Sequence, residues 1–329
     1  MTDRPTGAAA GAGLAQRARA GDRRALARLL TEVENRTQAG EQGLRVLYPQ
    51  AGTAHLVGVT GAPGAGKSTL VAALTAEARA AGRPVAIIAI DPSSPITGGA
   101  ILGDRVRMQQ HAGDRDVFIR SMAARGHAGG LAPTTVGAAA VLDAAGFDLI
   151  FIETVGTGQS EVEVAAIADT TVVVQAPEMG DEVQAIKAGL LEVADVVVVN
   201  KADRPGAHRA AAQLRAMLTV GAQQERAALA AGRPRPKRPE VLLTTAASGA
   251  GVPELLAALD RRREPAAPDT SRLARARVQL DGVLAERLRD RLREPALAPI
   301  VDEAVRDIAA HRLDPFAAAD RLLAALAVR

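Results

Sequence analysis

Cysteine and tryptophan are absent from this chain of 329 residues, and aromatic residues make up only 2% of it. Without cysteine, neither a disulfide framework nor a thiolate metal site can form. No apolar run approaches the ~20 residues that a membrane-spanning helix needs. The first residues also lack the apolar segment of a secretory signal. We therefore expect a cytoplasmic protein with no membrane partner, and a core built from valine, leucine, isoleucine and alanine.

Charges of the two signs are nearly balanced: 40 lysines and arginines against 37 acidic residues leave a formal net charge of +3. Two arginine-rich runs, at 233–238 and 261–263, could contact nucleic acid. The chain shows no aromatic platform for bases and no helix-turn-helix, zinc-finger or RNA-recognition signature. We therefore expect no nucleic-acid partner, and we interpret both runs as solvated loops or helix ends.

Short apolar runs alternate with helical patterns through the middle of the chain. The runs are continuously apolar, which is typical of strands that are covered on both faces. They predict strands at 55–60, 84–90, 117–120, 148–152, 170–175, 195–199 and 240–244. Because helical stretches separate most of them, we predict the α/β class: a mainly parallel, doubly wound sheet flanked by helices.

Helical patterns alone flank this region and predict three parts: an N-terminal helical segment at 1–50, an α/β domain at 51–265 and a C-terminal helical arm at 266–329. One apolar stripe of the first segment consists of Leu26, Leu29, Leu30 and Val33. In the arm, a leucine recurs every four residues at Leu280, Leu284, Leu288 and Leu292. Prolines at 295, 299 and 315 divide the arm into helices. Its apolar face could pack onto the sheet domain or form a dimer contact, and the spacing does not decide between them.

The most specific motif lies between the first predicted strand and a helical pattern. It consists of Gly61, Ala62, Pro63, Gly64, Ala65, Gly66, Lys67, Ser68 and Thr69, which match G-x-x-x-x-G-K-S plus one residue. Glycines let backbone N–H groups point at a phosphate, and the helix adds its positive N-terminal end. Lys67 would reach the β- and γ-phosphates, and the Ser68 hydroxyl would ligate Mg²⁺. The alternative is an ordinary glycine-rich turn, but strand, motif and helix in this order favour a P-loop NTPase.

A second motif selects the base. Asn200, Lys201 and Asp203 form N-K-x-D after a buried strand, at the sheet edge where ligands bind. The Asp203 carboxylate could accept hydrogen bonds from N1–H and the 2-amino group of guanine, and adenine offers no such pair. Lys201 could lie along the purine, and Asn200 could tie its loop to the P-loop. After the last predicted strand, Thr245, Ala246 and Ala247 form a second candidate base loop, in which the N–H of Ala246 or Ala247 would donate to guanine O6.

Carboxylates at strand ends are candidates for the magnesium site. Glu153 ends one predicted strand and starts E-x-x-G, whose Gly156 N–H would contact the γ-phosphate. Asp91 ends another strand, and Asp104 lies in a loop. A helix cap or a solvated loop residue is the alternative for each carboxylate, and Asp91 in particular would suit a cap.

Four longer segments carry a more specific pattern: D-P-S-S-P at 91–95, G-A-I-L-G-D-R at 99–105, E-T-V-G-T-G-Q-S-E at 153–161 and G-D-E at 180–182. Together they resemble the methylmalonyl-CoA mutase-associated GTPases, also called the MeaB/ArgK type. The resemblance covers nearly the whole chain, including G-D-R-R-A-L-A at 21–27 and the helical arm. It implies a homodimeric GTPase whose C-terminal arms form the dimer.

The resemblance also implies ligands and a partner. It implies GTP or GDP with Mg²⁺, phosphates bound by residues 61–69, and guanine bound by Asn200, Lys201, Asp203, Thr245, Ala246 and Ala247. It implies a magnesium shell of Ser68, Asp91, Asp104 and Glu153. The partner would be an adenosylcobalamin-dependent acyl-CoA mutase, which the GTPase would help to load with intact cofactor and protect from inactivation. Residues 181–187 match a switch through which family members communicate with the mutase.

Two departures from the family pattern and several alternatives accompany this interpretation. Thr245 stands where serine is usual, and Ala128 replaces the apolar leucine of the loop at 125–130. A nickel-insertase-like metallochaperone GTPase would share the fold, but such proteins usually carry cysteine or histidine ligands. A transport-linked kinase or a non-catalytic module are further alternatives. His55 begins an H-x-x-G run that could suggest cobalamin binding, but its place at the start of the strand before the P-loop argues against that role.

Overall fold

One parallel sheet carries the strands of the described chain. The computed structural model describes residues 7–91, 113–123, 133–154, 160–177, 190–230, 239–263 and 269–327. Within these ranges the strands are β1 (His55–Gly61), β2 (Val85–Asp91), β3 (Val117–Ala123), β4 (Leu149–Thr154), β5 (Thr170–Gln175), β6 (Val196–Val199) and β7 (Glu240–Leu243). Their order in the sheet is β3-β2-β4-β1-β5-β6-β7, and all neighbours pair in parallel. The seven predicted strands and the parallel doubly wound sheet are thus confirmed.

Helices connect and cover these strands. In the described residues they are α1 (Gly7–Arg19), α2 (Arg23–Glu34), α3 (Gln38–Leu47), α4 (Lys67–Ala80), α5 (Pro133–Ala144), α6 (Ser160–Ile167), α7 (Ala207–Ala230), α8 (Val252–Arg263), α9 (Asp269–Leu292), α10 (Ala298–Ala309) and α11 (Pro315–Ala327). A short 3-10 turn, Tyr48–Gln50, follows α3. No described helix has the length and apolarity needed to cross a membrane.

The aliphatic composition of the strands follows from burial on both faces. All six residues of β4 and all four valines of β6 are buried. One face of the sheet packs against α4 and α8, where Val59 and Phe151 share a core with Leu70, Leu74 and Leu255. Branched side chains suit such strands because they pack well on a pleated surface.

The N-terminal helices extend the core on the other face of the sheet. The predicted stripe of Leu26, Leu29, Leu30 and Val33 is buried together with Ile88 of β2 and Ile150 of β4. Side chains cap two of these helices: Asp22 accepts from the Arg24 and Ala25 N–H groups, and Thr37 accepts from the Gly40 N–H. Each cap satisfies backbone donors that the first helical turn leaves free.

The chain divides into two compact units, Met1–Arg275 and Ala276–Arg329. In the second unit Leu297, Ala304 and Ala318 are buried. The arm is helical and is interrupted near its prolines, as the sequence predicts. Helix α9 ends at Leu292, Pro299 lies in the first turn of α10, and Pro315 lies in the first turn of α11. The leucines of α9 are largely exposed, with Leu280 and Leu284 each 55% accessible.

Candidate nucleotide-binding site

The glycine-rich loop lies between β1 and α4, at the carboxyl edge of the sheet. Strand β1 lies between β4 and β5 in the sheet. The chain passes from β1 to β2 in one direction along the sheet, and from β4 to β5 in the opposite direction. In doubly wound sheets, such a switch point opens a crevice at the carboxyl ends of the strands, and ligands bind there. The fold therefore places the predicted P-loop where this class of protein holds its ligand.

Two glycines of the loop adopt backbone angles that other residues rarely reach. Gly61 has φ +133°, and a Cβ there would lie 2.1 Å from the Val174 carbonyl oxygen. Gly66 has φ +90°, and a Cβ there would lie 2.4 Å from Asn200 Nδ2. Gly66 is also the N-cap residue directly before α4. Glycine is required at both positions because the backbone turns tightly and passes close to neighbouring loops.

Lys67 lies across the loop that precedes it. Its Nζ donates to the carbonyl oxygens of Gly61, at 2.8 Å, and Ala62, at 3.2 Å, and the side chain is buried. The ammonium group is thereby held on the loop side of the first turn of α4. A phosphate bound in the loop would lie within reach of this charge.

The side chains of Ser68, in the first turn of α4, and Glu153, in β4, form a hydrogen bond. The Ser68 hydroxyl donates to Glu153 Oε1 at 2.5 Å, although the two residues are 85 positions apart. Both side chains are buried, with Glu153 only 2% exposed. The parallel register places Val59 of β1 beside Glu153 of β4, so both residues lie at the same sheet edge. A hydroxyl beside a carboxylate is a set of hard oxygen donors, which is the chemistry that Mg²⁺ prefers.

Asn200 connects three loops through one side chain. Its Nδ2 donates to the Ala65 carbonyl oxygen of the P-loop at 3.0 Å. Its Oδ1 accepts from the Thr244 hydroxyl and from the Ala246 N–H, each at 3.1 Å. The side chain is buried, and these bonds use both ends of the amide. Asn200 thus ties its loop to the P-loop, as the sequence predicts.

The two candidate base loops lie next to each other. Lys201 has φ +58°, and its Nζ donates to the Gly64 carbonyl oxygen at 2.8 Å. The Ala202 N–H donates to the Thr244 carbonyl oxygen at 3.0 Å, which joins the N-K-x-D loop to the end of β7. Asp203 and Ala247 are both exposed. An exposed carboxylate in the N-K-x-D loop is available to a ligand.

Some predicted site residues are placed only partly or not at all. Asp91 is the last residue of β2, where it pairs with Ala123 of β3. Its strand therefore ends at the same sheet edge as β1 and β4. Asp104, Gly156 and the segments at 125–130 and 181–187 lie outside the described residues.

Sequence reasoning missed the role of Thr244. Thr244 is buried and holds the Asn200 amide in one orientation, yet no motif includes it. The sequence feature that could have identified Thr244 is a hydroxyl residue directly after an apolar strand and directly before the second base loop.

The position of His55 agrees with its exclusion as a cobalamin ligand, because His55 starts β1 and its Nε2 lies 2.8 Å from the Thr170 hydroxyl. Burial lowers the pKa of His55.

Comparisons with known proteins agree with this geometry. A Pyrococcus abyssi protein designated a GTPase is 43% identical in an alignment of 318 positions that covers 94% of this chain and 95% of that protein. The GTPase ArgK of Escherichia coli is 44% identical over 192 residues, which are 57% of this chain and 58% of ArgK. A crystal structure of an LAO/AO transport system kinase has a TM-score of 0.61 and 25% identity, and the match covers 96% of this chain and 97% of that one.

The family described as methylmalonyl-CoA mutase-associated GTPase MeaB matches residues 26–298. That range includes the P-loop, Glu153 and both candidate base loops. The match, the relatives and the parallel sheet agree on a P-loop GTPase fold, which implies binding of GTP or GDP. The chain belongs to the MeaB family of methylmalonyl-CoA mutase-associated GTPases.

Proposed function

We propose that this protein is a Mg²⁺-dependent GTP hydrolase that serves as a chaperone for an adenosylcobalamin-dependent acyl-CoA mutase. The observation that carries the GTPase part is the bond from Asn200 Nδ2 to the Ala65 carbonyl oxygen. It joins the N-K-x-D loop, the proposed guanine site, to the P-loop, the proposed phosphate site. One ligand with both a guanine and a phosphate chain would therefore bridge the two.

The phosphate chain would bind at the start of α4. Backbone N–H groups of residues 61–69 would donate to the phosphate oxygens, and the helix end adds positive potential. Lys67 would exchange its two carbonyl acceptors, Gly61 and Ala62, for the β- and γ-phosphates. Because those bonds join the ammonium to neutral carbonyls, charged phosphate oxygens would be the stronger acceptors.

Ser68 and Glu153 would hold the magnesium ion, with Asp91 and Asp104 as further members of its shell. When bound, the ion would neutralise charge on the β- and γ-phosphate oxygens. The Ser68 hydroxyl now donates to Glu153, so it would turn its oxygen toward the ion while Glu153 remains an acceptor. We propose that the Gly156 N–H orders the switch around the γ-phosphate.

Guanine would lie between Lys201 and the loop that contains Thr245, Ala246 and Ala247. The exposed Asp203 carboxylate would accept from N1–H and the 2-amino group. Backbone N–H groups of Ala246 and Ala247 would face O6, although that of Ala246 also donates to Asn200 Oδ1. Adenine would leave the carboxylate without its two donors, which costs binding free energy.

The mutase partner rests on the family to which the chain belongs, since that family is described as mutase-associated. We propose that residues 181–187 couple the nucleotide state to the mutase, and that the C-terminal arms join two copies into a homodimer. The proposed chaperone role is to load intact cofactor into the mutase and to protect the loaded enzyme.

Two measurements on the full-length protein test this proposal. Calorimetric titration with Mg²⁺ should show binding of GTP and GDP and much weaker binding of ATP. Equal affinity for ATP and GTP would contradict the guanine assignment. GTP turnover should be slow alone and faster when a candidate acyl-CoA mutase is added, since partners commonly raise GTPase rates by ~10³–10⁵. A panel of such mutases that leaves the rate unchanged would contradict the partner.

A further inference from the structure

A cleft of about 250 Å³ lies at the edge of the sheet opposite the P-loop. It is formed where the turn between α1 and α2 meets the residues that precede β2, β3 and β4. Parallel strands of six or seven residues separate the two edges by about 20 Å, at ~3.3 Å per residue. The cleft is therefore distinct from the nucleotide site. Its lining includes Ala18, Gly21, Arg23, Leu26, Arg115 and Phe147.

The walls of the cleft are apolar and leave open space. Leu26 and Phe147 are core residues whose side chains border it. Gly21 and Gly146 adopt φ +88° and +95°, and a Cβ at either position would meet no atom within 4 Å. An apolar group that entered the cleft would therefore find apolar surface to cover and room beside both glycines.

Two arginines, Arg23 and Arg115, and one carboxylate, that of Asp116, line the cleft. The Arg23 guanidinium lies 5.4 Å from the centre of the Phe118 ring and donates to the Arg115 and Val117 carbonyl oxygens. Arg115 is exposed. Among the described residues, neither guanidinium forms an ion pair. Carbonyl oxygens and an aromatic ring hold Arg23 in place but do not neutralise it.

The acidic residues next to these arginines in the chain are already paired elsewhere. Asp22 forms an ion pair with Arg17, and Asp116 forms one with Arg79 at 2.8 Å. Arg79 also pairs with Asp114, so one guanidinium serves two carboxylates. Three guanidinium groups, those of Arg23, Arg115 and Arg79, stand against the carboxylates of Asp114 and Asp116, so the border of the cleft keeps a net positive charge.

We propose that this cleft binds a small organic carboxylate, with its apolar body against Leu26 and Phe147 and its carboxylate at Arg115 and Arg23. An apolar body gains from burial, and a carboxylate matches the guanidinium fork. The volume is smaller than the ~300–1,000 Å³ of pockets for larger ligands.

The test uses the full-length protein with GDP and Mg²⁺ present and three probes: 3-phenylpropionate, its neutral amide and acetate. Amide resonances would be followed in ¹H–¹⁵N spectra during each titration. We expect 3-phenylpropionate to shift the resonances of Gly21 and Gly146, and the neutral amide and acetate to bind more weakly. The proposal would be overturned if the neutral amide probe bound as strongly as 3-phenylpropionate, or if the Gly21 and Gly146 resonances did not shift.

Variants of Arg115 give a second readout. The Arg115 side chain is exposed and forms no ion pair with the residues that the structure describes, so Arg115→Ala should leave the fold intact. Exposed ion pairs are worth ~0.2–1 kcal/mol, so Arg115→Ala should weaken 3-phenylpropionate binding by about two- to fivefold. Arg115→Glu should abolish it. The matched control is Arg28→Ala, which changes an exposed arginine of α2; this variant should bind 3-phenylpropionate like the parent. Parent-like affinity in both Arg115 variants would overturn the proposal.

Discussion

In the proposed nucleotide site, single side chains select the base, and Asp203 is the sharpest test. Replacing Asp203 by Asn keeps one acceptor for N1–H but replaces the proposed acceptor for the guanine 2-amino group with an N–H donor, which matches the O2 of xanthine. Hydrogen bonds to charged groups are worth ~1.5–3 kcal/mol, so GTP affinity should fall at least about tenfold. Xanthosine triphosphate affinity should rise in the same variant, as measured by calorimetric titration.

The control for this change is Glu254→Gln, which neutralises an exposed carboxylate in the first turn of α8. That variant should retain the parent's preference for GTP. If Asp203→Asn also keeps the parent's preference for GTP over the xanthine nucleotide, the proposed role of Asp203 is wrong.

Glu153 carries a different prediction because its proposed ligand is the magnesium ion and not the base. Glu153→Gln keeps the size and an acceptor for the Ser68 hydroxyl but removes the negative charge. GTP should still bind, while turnover at limiting Mg²⁺ falls and more Mg²⁺ is needed to reach half of the maximal rate. The measurement is the phosphate release rate across a Mg²⁺ titration. An unchanged Mg²⁺ dependence would show that Glu153 does not hold the ion.

Thr244 shows how a residue outside every motif supports one inside it. Thr244→Val removes the hydroxyl that donates to Asn200 Oδ1 and keeps the side-chain shape. A neutral hydrogen bond contributes ~0.5–1.5 kcal/mol, so GDP affinity should fall by about two- to tenfold. Thr75→Val is the control, because Thr75 is equally buried but donates within α4 to the Val71 carbonyl oxygen. Equal GDP affinity in the parent and in Thr244→Val would contradict this role.

At the scale of elements, the last turn of α8 is held to the amino edge of the sheet by three consecutive arginines. Arg261 pairs with Glu240, Arg262 with Asp195 and Arg263 with Asp148. The interpretation of residues 261–263 as a helix end is confirmed, but these side chains form ion pairs with residues at the starts of different strands. They are thus engaged in holding the fold together.

Asp148 gives this contact a predictable pH dependence. Burial alone would raise its pKa, but hydrogen bonds from Arg263 and Arg83 hold the pKa of Asp148 below its ordinary value of 3.8. The ionised form is therefore favoured in the folded state. Its contribution to stability is full above the unfolded value and is lost as the pH falls through the lower folded pKa.

Asp148→Asn should therefore unfold at lower urea concentration than the parent at pH 7. Loss of its charge-assisted hydrogen bonds should cost about 1–3 kcal/mol. The parent should lose more stability than this variant between pH 7 and pH 3, as followed by circular dichroism. Asp302→Asn, an exposed change in the second unit, should behave like the parent at both pH values. A parent-like midpoint for Asp148→Asn at pH 7 would contradict the prediction.

The elements could be predicted from the sequence because their signals are local. Runs such as the four valines of β6 show burial on both faces within a few residues. The contacts between elements have no such signal. Thr244 and Asn200 are 44 positions apart, and Arg83 and Asp260 are 177 apart. Only the strand order brings these groups together, so motifs revealed Asn200 whereas Thr244 emerged only from the fold.

At the scale of the whole molecule, α9 has an apolar face that a single chain leaves in water. Leu273 is 68% exposed, Leu280 and Leu284 are each 55% exposed, and Leu288 is 39% exposed. Their spacing of seven, four and four residues places them along one side of the helix. Such a face on a long amphipathic helix is typical of a helix–helix interface.

A second copy of the chain is the expected cover for this face. Burying a large aliphatic side chain is worth ~1.5–3 kcal/mol, so the four leucines of two copies together favour association strongly. Full-length protein should therefore have the mass of a dimer by light scattering. Leu280→Asp combined with Leu284→Asp should give a folded monomer that still binds GDP, because both positions lie outside the nucleotide site. Arg289→Glu, on the opposite side of α9, should remain dimeric. A parent that is monomeric at high concentration, or a double variant that stays dimeric, would contradict the prediction.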